Sequence, residues 1–194
     1  ALPISTQNFP ITHLRTHPAM IRSLGMIKKA CAMANHECGH LDDERTGYII
    51  AACDEIIQGK LDCWFITDVI QGGAGTSTNM NANEVVANRA AQLAGKALGV
   101  YDYIHPNDHV NFGQSTNDVF PTAGKLTALF LVEDLLEELM LLQEALLDKS
   151  IEFNDVIKLG RTHLQDAVPI RMGQEFHAFA TAIVRDIRRI KVRW

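Results

Sequence analysis

Gln114, Ser115, Thr116, Asn117 and Asp118 occupy five consecutive positions and run directly into a long apolar stretch. All five form hydrogen bonds through their side chains, and none is cationic. A helix start needs one Ser, Thr, Asp or Asn to satisfy its orphan amides, and Pro121 suits a first helical turn. Five such residues exceed that need. The segment reads either as an over-capped helix or as a site for an acceptor-rich group such as a carboxylate. Two further segments share its character. Gly72 to Arg89 reads GGAGTSTNMNANEVVANR, with Thr76, Ser77, Thr78 and Asn79 between a glycine turn and a helix. Gly160 to Glu175 reads GRTHLQDAVPIRMGQE, with Arg161, Thr162, His163 and Gln165 in a polar turn ahead of another helix. In all three, hydroxyl and amide side chains are expected beside helix N-termini, where free N–H groups and the helix dipole favour an anion. The glycine turn is not a phosphate loop, because it has neither Gly-Lys-Ser/Thr nor GxGxxG.

Helices must carry these segments. Apolar spacing predicts one over Ala19–Ala34, stopped by Gly39, and another from Asp42 and Asp43 to Gln58, with Gly59 as its end. A short extended piece is predicted over Cys63–Ile70, a third helix over Asn83–Leu98 closed by Gly99, and a polar loop over His105–Asn111. Pro121 to Phe153 differs in kind, with apolar residues on more than one stripe and only Gly124 to interrupt it. Such a helix would run roughly 50 Å and asks for burial on several sides, more than a chain of this size can supply. The last helix, from Arg171, meets no Gly, Asn or Pro before Trp194 and reads as cut in mid-helix. The expected fold is mainly α: an N-terminal α-rich domain over residues 1–120, then two long antiparallel helices of a truncated bundle over 121–194, joined by a loop around Gly160.

With 47% hydrophobic residues among 194 the chain has material for a core, and a net charge of −5 gives no basis for a nucleic-acid or acidic membrane partner. Arg185, Arg188, Arg189, Lys191 and Arg193 read as a solvated helix face. Cys31, Cys38, Cys53 and Cys63 form no CxxC pair and are expected as free, mostly buried thiols in a reducing compartment. Neither a signal peptide nor a membrane-spanning run is present, so the expected location is cytoplasmic.

One rival motif is in view. His36-Glu37-Cys38-Gly39-His40 satisfies HExxH, the zinc-peptidase pattern. It works only when both histidines share one face of a continuous helix and a third ligand follows. Gly39 stands as a terminator directly before His40, and no third-ligand motif follows.

The three polar segments, in this order and spacing, resemble the signature regions in the N-terminal half of the aspartase/fumarase superfamily, from Asn8 to the end of the chain. Ala74 stands where fumarases usually have Ser, and Ser115-Thr116-Asn117 where they usually read Ser-Ser-Asn, so the wording is nearer the aspartase branch. The resemblance implies a homotetrameric lyase with sites shared among subunits and no cofactor. It would remove a proton next to one carboxylate of L-aspartate and expel ammonia to give fumarate, through an aci-carboxylate intermediate. The fumarase alternative does the same with malate and water. Carried over, Thr76 and Ser77 with the glycine turn contact one substrate carboxylate. Ser115, Thr116 and Asn117 grip the other carboxylate and the amino-bearing carbon. Thr162 and His163 form a third contact set, His163 being the candidate catalytic residue, orienting and charging the site rather than acting as an obligatory base. His105, Asn107 and Asp108 match a loop that forms a peripheral anion site in fumarases. The family's GSSxMPxKxNP loop, which carries the serine base, is not found, so these residues alone are expected not to catalyse. A non-enzymatic reading also stands, since argininosuccinate lyase relatives serve as lens crystallins.

Overall fold

The computed structural model describes residues 2–71 and 73–193; Ala1, Gly72, which opens the glycine turn, and Trp194 lie outside the described residues. The chain is mainly α, and its contacts divide it into two compact units, one through Ala128 and one from Leu129.

In the first unit, α1 (Leu2–Asn8), α2 (Pro18–Glu37), α3 (Asp43–Ile57) and α4 (Thr76–Leu93) precede the start of α5 (Thr116–Glu152). Helix α2 buries Ile21, Leu24, Gly25, Lys28 and Ala32 at helical spacing, and α3 answers with Ile49, Ala52, Cys53 and Ile56. Phe65, Val86 and Ile104 complete this core. Helix α4 is different, burying Asn79, Asn81 and Asn83 along with its alanines and valines. The Asn81 amide explains one of them. Its Oδ1 accepts from Ile66 N at 2.9 Å and Thr67 N at 3.3 Å, while its Nδ2 donates to Trp64 O at 2.9 Å. One side chain thus satisfies the backbone that a neighbouring strand would otherwise pair. The expected extended piece over Cys63–Ile70 is accordingly a 3-10 turn (Asp62–Trp64) followed by irregular backbone. Asp68 accepts from the amides of Thr12, His13 and Ile70 and from the Thr12 hydroxyl; burial pushes its carboxyl up, but these four bonds outweigh that and hold it far below the usual range.

Three helix boundaries differ from expectation. Helix α4 begins at Thr76 rather than Asn83 and closes at Gly95, φ +70°, rather than Gly99. Helix α5 begins at Thr116, so Pro121 lies in its second turn, not its first. At both N-termini the cause is the same: polar residues that precede the apolar spacing already have helical backbone. At the far end of α4, Gly95 takes the left-handed turn before Gly99 is reached. The expected buried thiols are also corrected. All four cysteines are free, but only Cys53 is buried, while Cys38 and Cys63 are exposed, because the first caps α2 and the second sits on the 3-10 turn.

In the second unit, the rest of α5 leads into β1 (Ile157–Thr162), β2 (Gln165–Arg171) and α6 (Met172–Arg193). The loop expected around Gly160 is instead an antiparallel hairpin, pairing Ile157 with Arg171 and Thr162 with Gln165, irregular between Leu159 and Arg161. Its two turn residues, His163 and Leu164, have φ of +50° and +63°. A two-residue turn with both φ positive normally selects Asn-Gly, so neither residue advertises it. The Phe153 and Phe176 rings, 5.6 Å apart, close the base of the hairpin.

Burial gives Lys28 a signature in stability. It pulls the Lys28 ammonium from 10.5 down to about 8, and it pushes the Cys53 thiol from 9.0 up to about 12. Below pH 8 Lys28 is protonated in both folded and unfolded chains. Between 8 and 10.5 the folded chain releases a proton that the unfolded chain keeps, so stability rises with pH. Above pH 9 Cys53 acts oppositely, because only the unfolded thiol ionises. Stability is therefore expected to rise by about 0.5–1 kcal/mol from pH 8 to 9 and then level off. Urea midpoints of the native chain and Lys28→Met across this range check it; an equal rise in both removes Lys28 as the source.

Candidate active site

The α4 start is built on Gly75, whose φ of +89° serves as a left-handed cap, with Thr76, Ser77 and Thr78 in the first turn. Helix geometry leaves those first amides without intrahelical partners. Gln71 takes one, its Oε1 accepting from Thr78 N at 2.9 Å while its Nε2 donates to Thr78 Oγ1 at 2.6 Å. Thr76 is exposed, and Ser77 accepts from the Ser5 hydroxyl at 3.0 Å.

The α5 start uses Ser115 as its cap, with Oγ accepting from Asn117 N at 3.2 Å. Thr116, partly buried, follows as the first helical residue, and Asn117 is exposed. Two contacts bring this start beside that of α4. The Phe120 ring lies on Gly75, closer than any Cβ would permit. Asn79 Nδ2 donates to Thr116 Oγ1 at 3.1 Å. Thr76 and Ser115–Asn117 therefore belong to one polar surface, made of two adjoining helix N-termini and their hydroxyls. Both dipoles favour negative charge there.

Thr162 and His163 lie in the second unit. Thr162 ends β1 opposite Gln165, and His163 opens the turn; both are exposed. The expectation that this segment sits at a helix N-terminus is wrong, because β2 separates it from α6. His163 is presented by a backbone conformation that non-glycine residues rarely adopt, of the kind that persists at functional sites.

Beneath the first surface lies a residue that the sequence reading passed over. Lys28 is fully buried, and its Nζ donates to Asn111 Oδ1 and Gln114 Oε1, each at 2.8 Å. It interrupts the apolar stripe Ile21-Leu24-Gly25-Lys28-Ala32. A lysine at a core position of a helix is the signal that could have found it.

The HExxH residues do not assemble. Helix α2 ends at Glu37, Cys38 caps it, and Gly39 turns away at φ +77°. His36 Nδ1 pairs with Leu41 O at 3.0 Å, and the His40 ring rests 5.1 Å from that of Phe112. Among the described residues no group of three His, Cys, Asp or Glu is placed to hold a metal ion. His105 is likewise engaged, its Nδ1 accepting from the amides of Asn107 and Asp108 as a cap on the turn Pro106–Val110.

A family model described as lyase matches residues 5–193. The chain belongs to the lyase family. It is 57% identical over 186 residues to an aspartate ammonia-lyase from a Bacillus species, covering 96% of this chain and 40% of that protein. It is 51% identical over 186 residues to a class II fumarate hydratase from Halobacterium salinarum, covering 95% of this chain and 39% of that one. A crystal structure from Brucella melitensis, described as fumarate lyase:delta crystallin, superposes with a TM-score of 0.88 at 48% identity, over 98% of this chain and 45% of that one. The chain thus spans about 40% of the length of the curated lyase-family relatives it matches.

Proposed function

We propose that this chain supplies the carboxylate-gripping part of an ammonia-lyase that converts L-aspartate to fumarate and ammonia. The observation that carries the proposal is the adjoining pair of helix starts, with Thr116 Oγ1 held as an acceptor by Asn79. The hydroxyl proton of Thr116 is thereby left for an outside acceptor. The proton lost in the reaction is weakly acidic, and the barrier falls only if the aci-carboxylate dianion is stabilised as it forms. Preorganised donors at that charge are worth about 3–4 kcal/mol each. Thr76, Ser77, Ser115, Thr116 and Asn117 are donors of this kind; Thr162 and His163 are the third set that the family resemblance implies, brought to the site from another subunit of the assembly. Four free cysteines suit a cytoplasmic setting.

The fumarase reading has one observation in its favour, the 51% identity to the Halobacterium salinarum fumarate hydratase. The two readings are separated by ultraviolet assay of fumarate formation from L-aspartate and from L-malate, using a protein of full family length that carries this sequence. Turnover of malate with none of aspartate decides for the fumarase.

We also propose assembly through α5. It exposes Leu135 at 49%, Leu141 at 59% and Leu142 at 47%, more apolar surface than a lone helix keeps in water. Further copies of the chain, in the tetramer that the family resemblance implies, would cover it. Light scattering at tens of micromolar is expected to show an oligomer; a strict monomer of the 194 residues counts against this. No helix among the described residues is long and apolar enough to cross a membrane.

A further inference from the structure

We propose that Lys28 is a positioning residue for the carboxylate-gripping turn, fixing through Asn111 and Asn79 the direction in which the Thr116 hydroxyl donates. The inference rests on the functional reading above and deepens it.

Lys28 occupies a core position where an apolar side chain would avoid the cost of burying a charge. Its hydrogen-bond partners are two neutral carboxamides. What the ammonium supplies is therefore direction. It is a pure donor, so both amides must turn their oxygens toward it. Their nitrogens then close the turn, Asn111 Nδ2 donating to Gln114 O at 3.0 Å and Gln114 Nε2 to Val110 O at 2.8 Å.

The constraint passes onward. Asn111 Oδ1 also faces Asn79, so Asn79 must present Nδ2, which donates to it at 3.2 Å. The same Nδ2 donates to Thr116 Oγ1, which must accept, leaving its own proton to point away from the core. Asn79 Oδ1 is buried with no partner, so the donor end of this amide sets its orientation. With a neutral side chain at position 28, the Asn111 and Asn79 amides are free to flip. Thr116 would then donate inward to Asn79 Oδ1 and be lost to the substrate.

The test is a double-mutant cycle of Lys28→Met and Thr116→Val in a protein of full family length carrying this chain, with L-aspartate and L-malate offered separately. Methionine keeps the volume and removes the donors. Lys28→Met is expected to lower kcat roughly tenfold to a hundredfold with little change in KM, less than removal of a donor itself. The double variant should be no slower than Thr116→Val alone, whereas a merely structural Lys28 gives additive losses. Asn79→Asp, which leaves Lys28 in place and replaces the donor by an acceptor, should reproduce the loss. Turnover of malate alone overturns the ammonia-lyase reading and leaves the cycle to be read on that substrate. Independently of activity, hydrogen exchange on the 194-residue chain should quicken at residues 111–117 in Lys28→Met. Additive losses, an unimpaired Asn79→Asp, or unchanged exchange at those amides overturns the proposal.

Discussion

Thr116→Ala is expected to lower kcat for L-aspartate by about 10²–10³, or roughly 3–4 kcal/mol of barrier, in a protein of full family length carrying this sequence. Thr116 is the first residue of α5, and its side chain lies at the positive end of a helix dipole. One of its two lone pairs is taken by Asn79 Nδ2 at 3.1 Å, which leaves the O–H free to turn outward, so on the proposed reading the hydroxyl would meet the substrate as a donor without reorganisation. A donor aimed at developing charge matters most in the transition state, so kcat should fall more than KM rises. Thr116→Ser keeps the hydroxyl at the same helical position and should retain most activity. Ser115→Ala is the necessary contrast, because Ser115 Oγ also caps α5 through Asn117 N. That variant should lose stability, by about 1 kcal/mol, as well as rate. A Thr116→Ala protein within threefold of the parent in kcat would remove the hydroxyl from the chemistry.

What the sequence made legible was whatever depends on local spacing. Helix α3 runs Asp43–Ile57 with Asp42 as its cap, close to the span that Asp42, Asp43 and Gly59 announce. The long α5 was equally plain, since thirty-odd residues with no proline after Pro121 and only Gly124 to interrupt them have few other options. The first turns of α4 and α5 were misplaced because Ser, Thr and Asn have weak helix propensity. Here they are held in helical backbone by caps, by Gln71 and by the Asn79–Thr116 bond. The hairpin was invisible for another reason. Gly160 and Pro169 argue against strands, and His163-Leu164 lacks the residues that favour a turn with both φ positive.

The site was half legible. Three clusters of hydroxyls and amides stand out in the sequence because they exceed what a helix cap requires. The groups beneath do not, because Lys28, Asn79 and Asn111 come from separate segments and only folding joins them. A lysine within an apolar stripe is a local anomaly, yet its meaning depends on partners 83 and 86 residues away.

Gly75→Ala is the second large effect expected, and it acts on the scaffold of the site rather than on its chemistry. Gly75 holds φ at +89°, a conformation that costs a residue with a Cβ about 1–2 kcal/mol. The added methyl would also overlap the Phe120 ring carbons, and such overpacking costs about 1–3 kcal/mol. Together, about 2–5 kcal/mol is a large part of the 5–15 kcal/mol that holds an ordinary domain. The overlapping ring atoms include Cγ, which sits next to the α5 backbone rather than at a free end of the side chain. Relief must shift the start of α5 away from that of α4, stretching the Asn79–Thr116 bond. Urea unfolding of the 194-residue chain should therefore show a lower midpoint, and the full-length protein should lose kcat as well. Adding Phe120→Ala separates the two costs. It removes the ring that the methyl strikes, so the double variant should recover the clash but not the backbone strain, and Gly75→Ala should cost only about 1–2 kcal/mol against Phe120→Ala. If Gly75→Ala costs less than about 0.5 kcal/mol, the close approach of the two helix starts is not what holds this surface together.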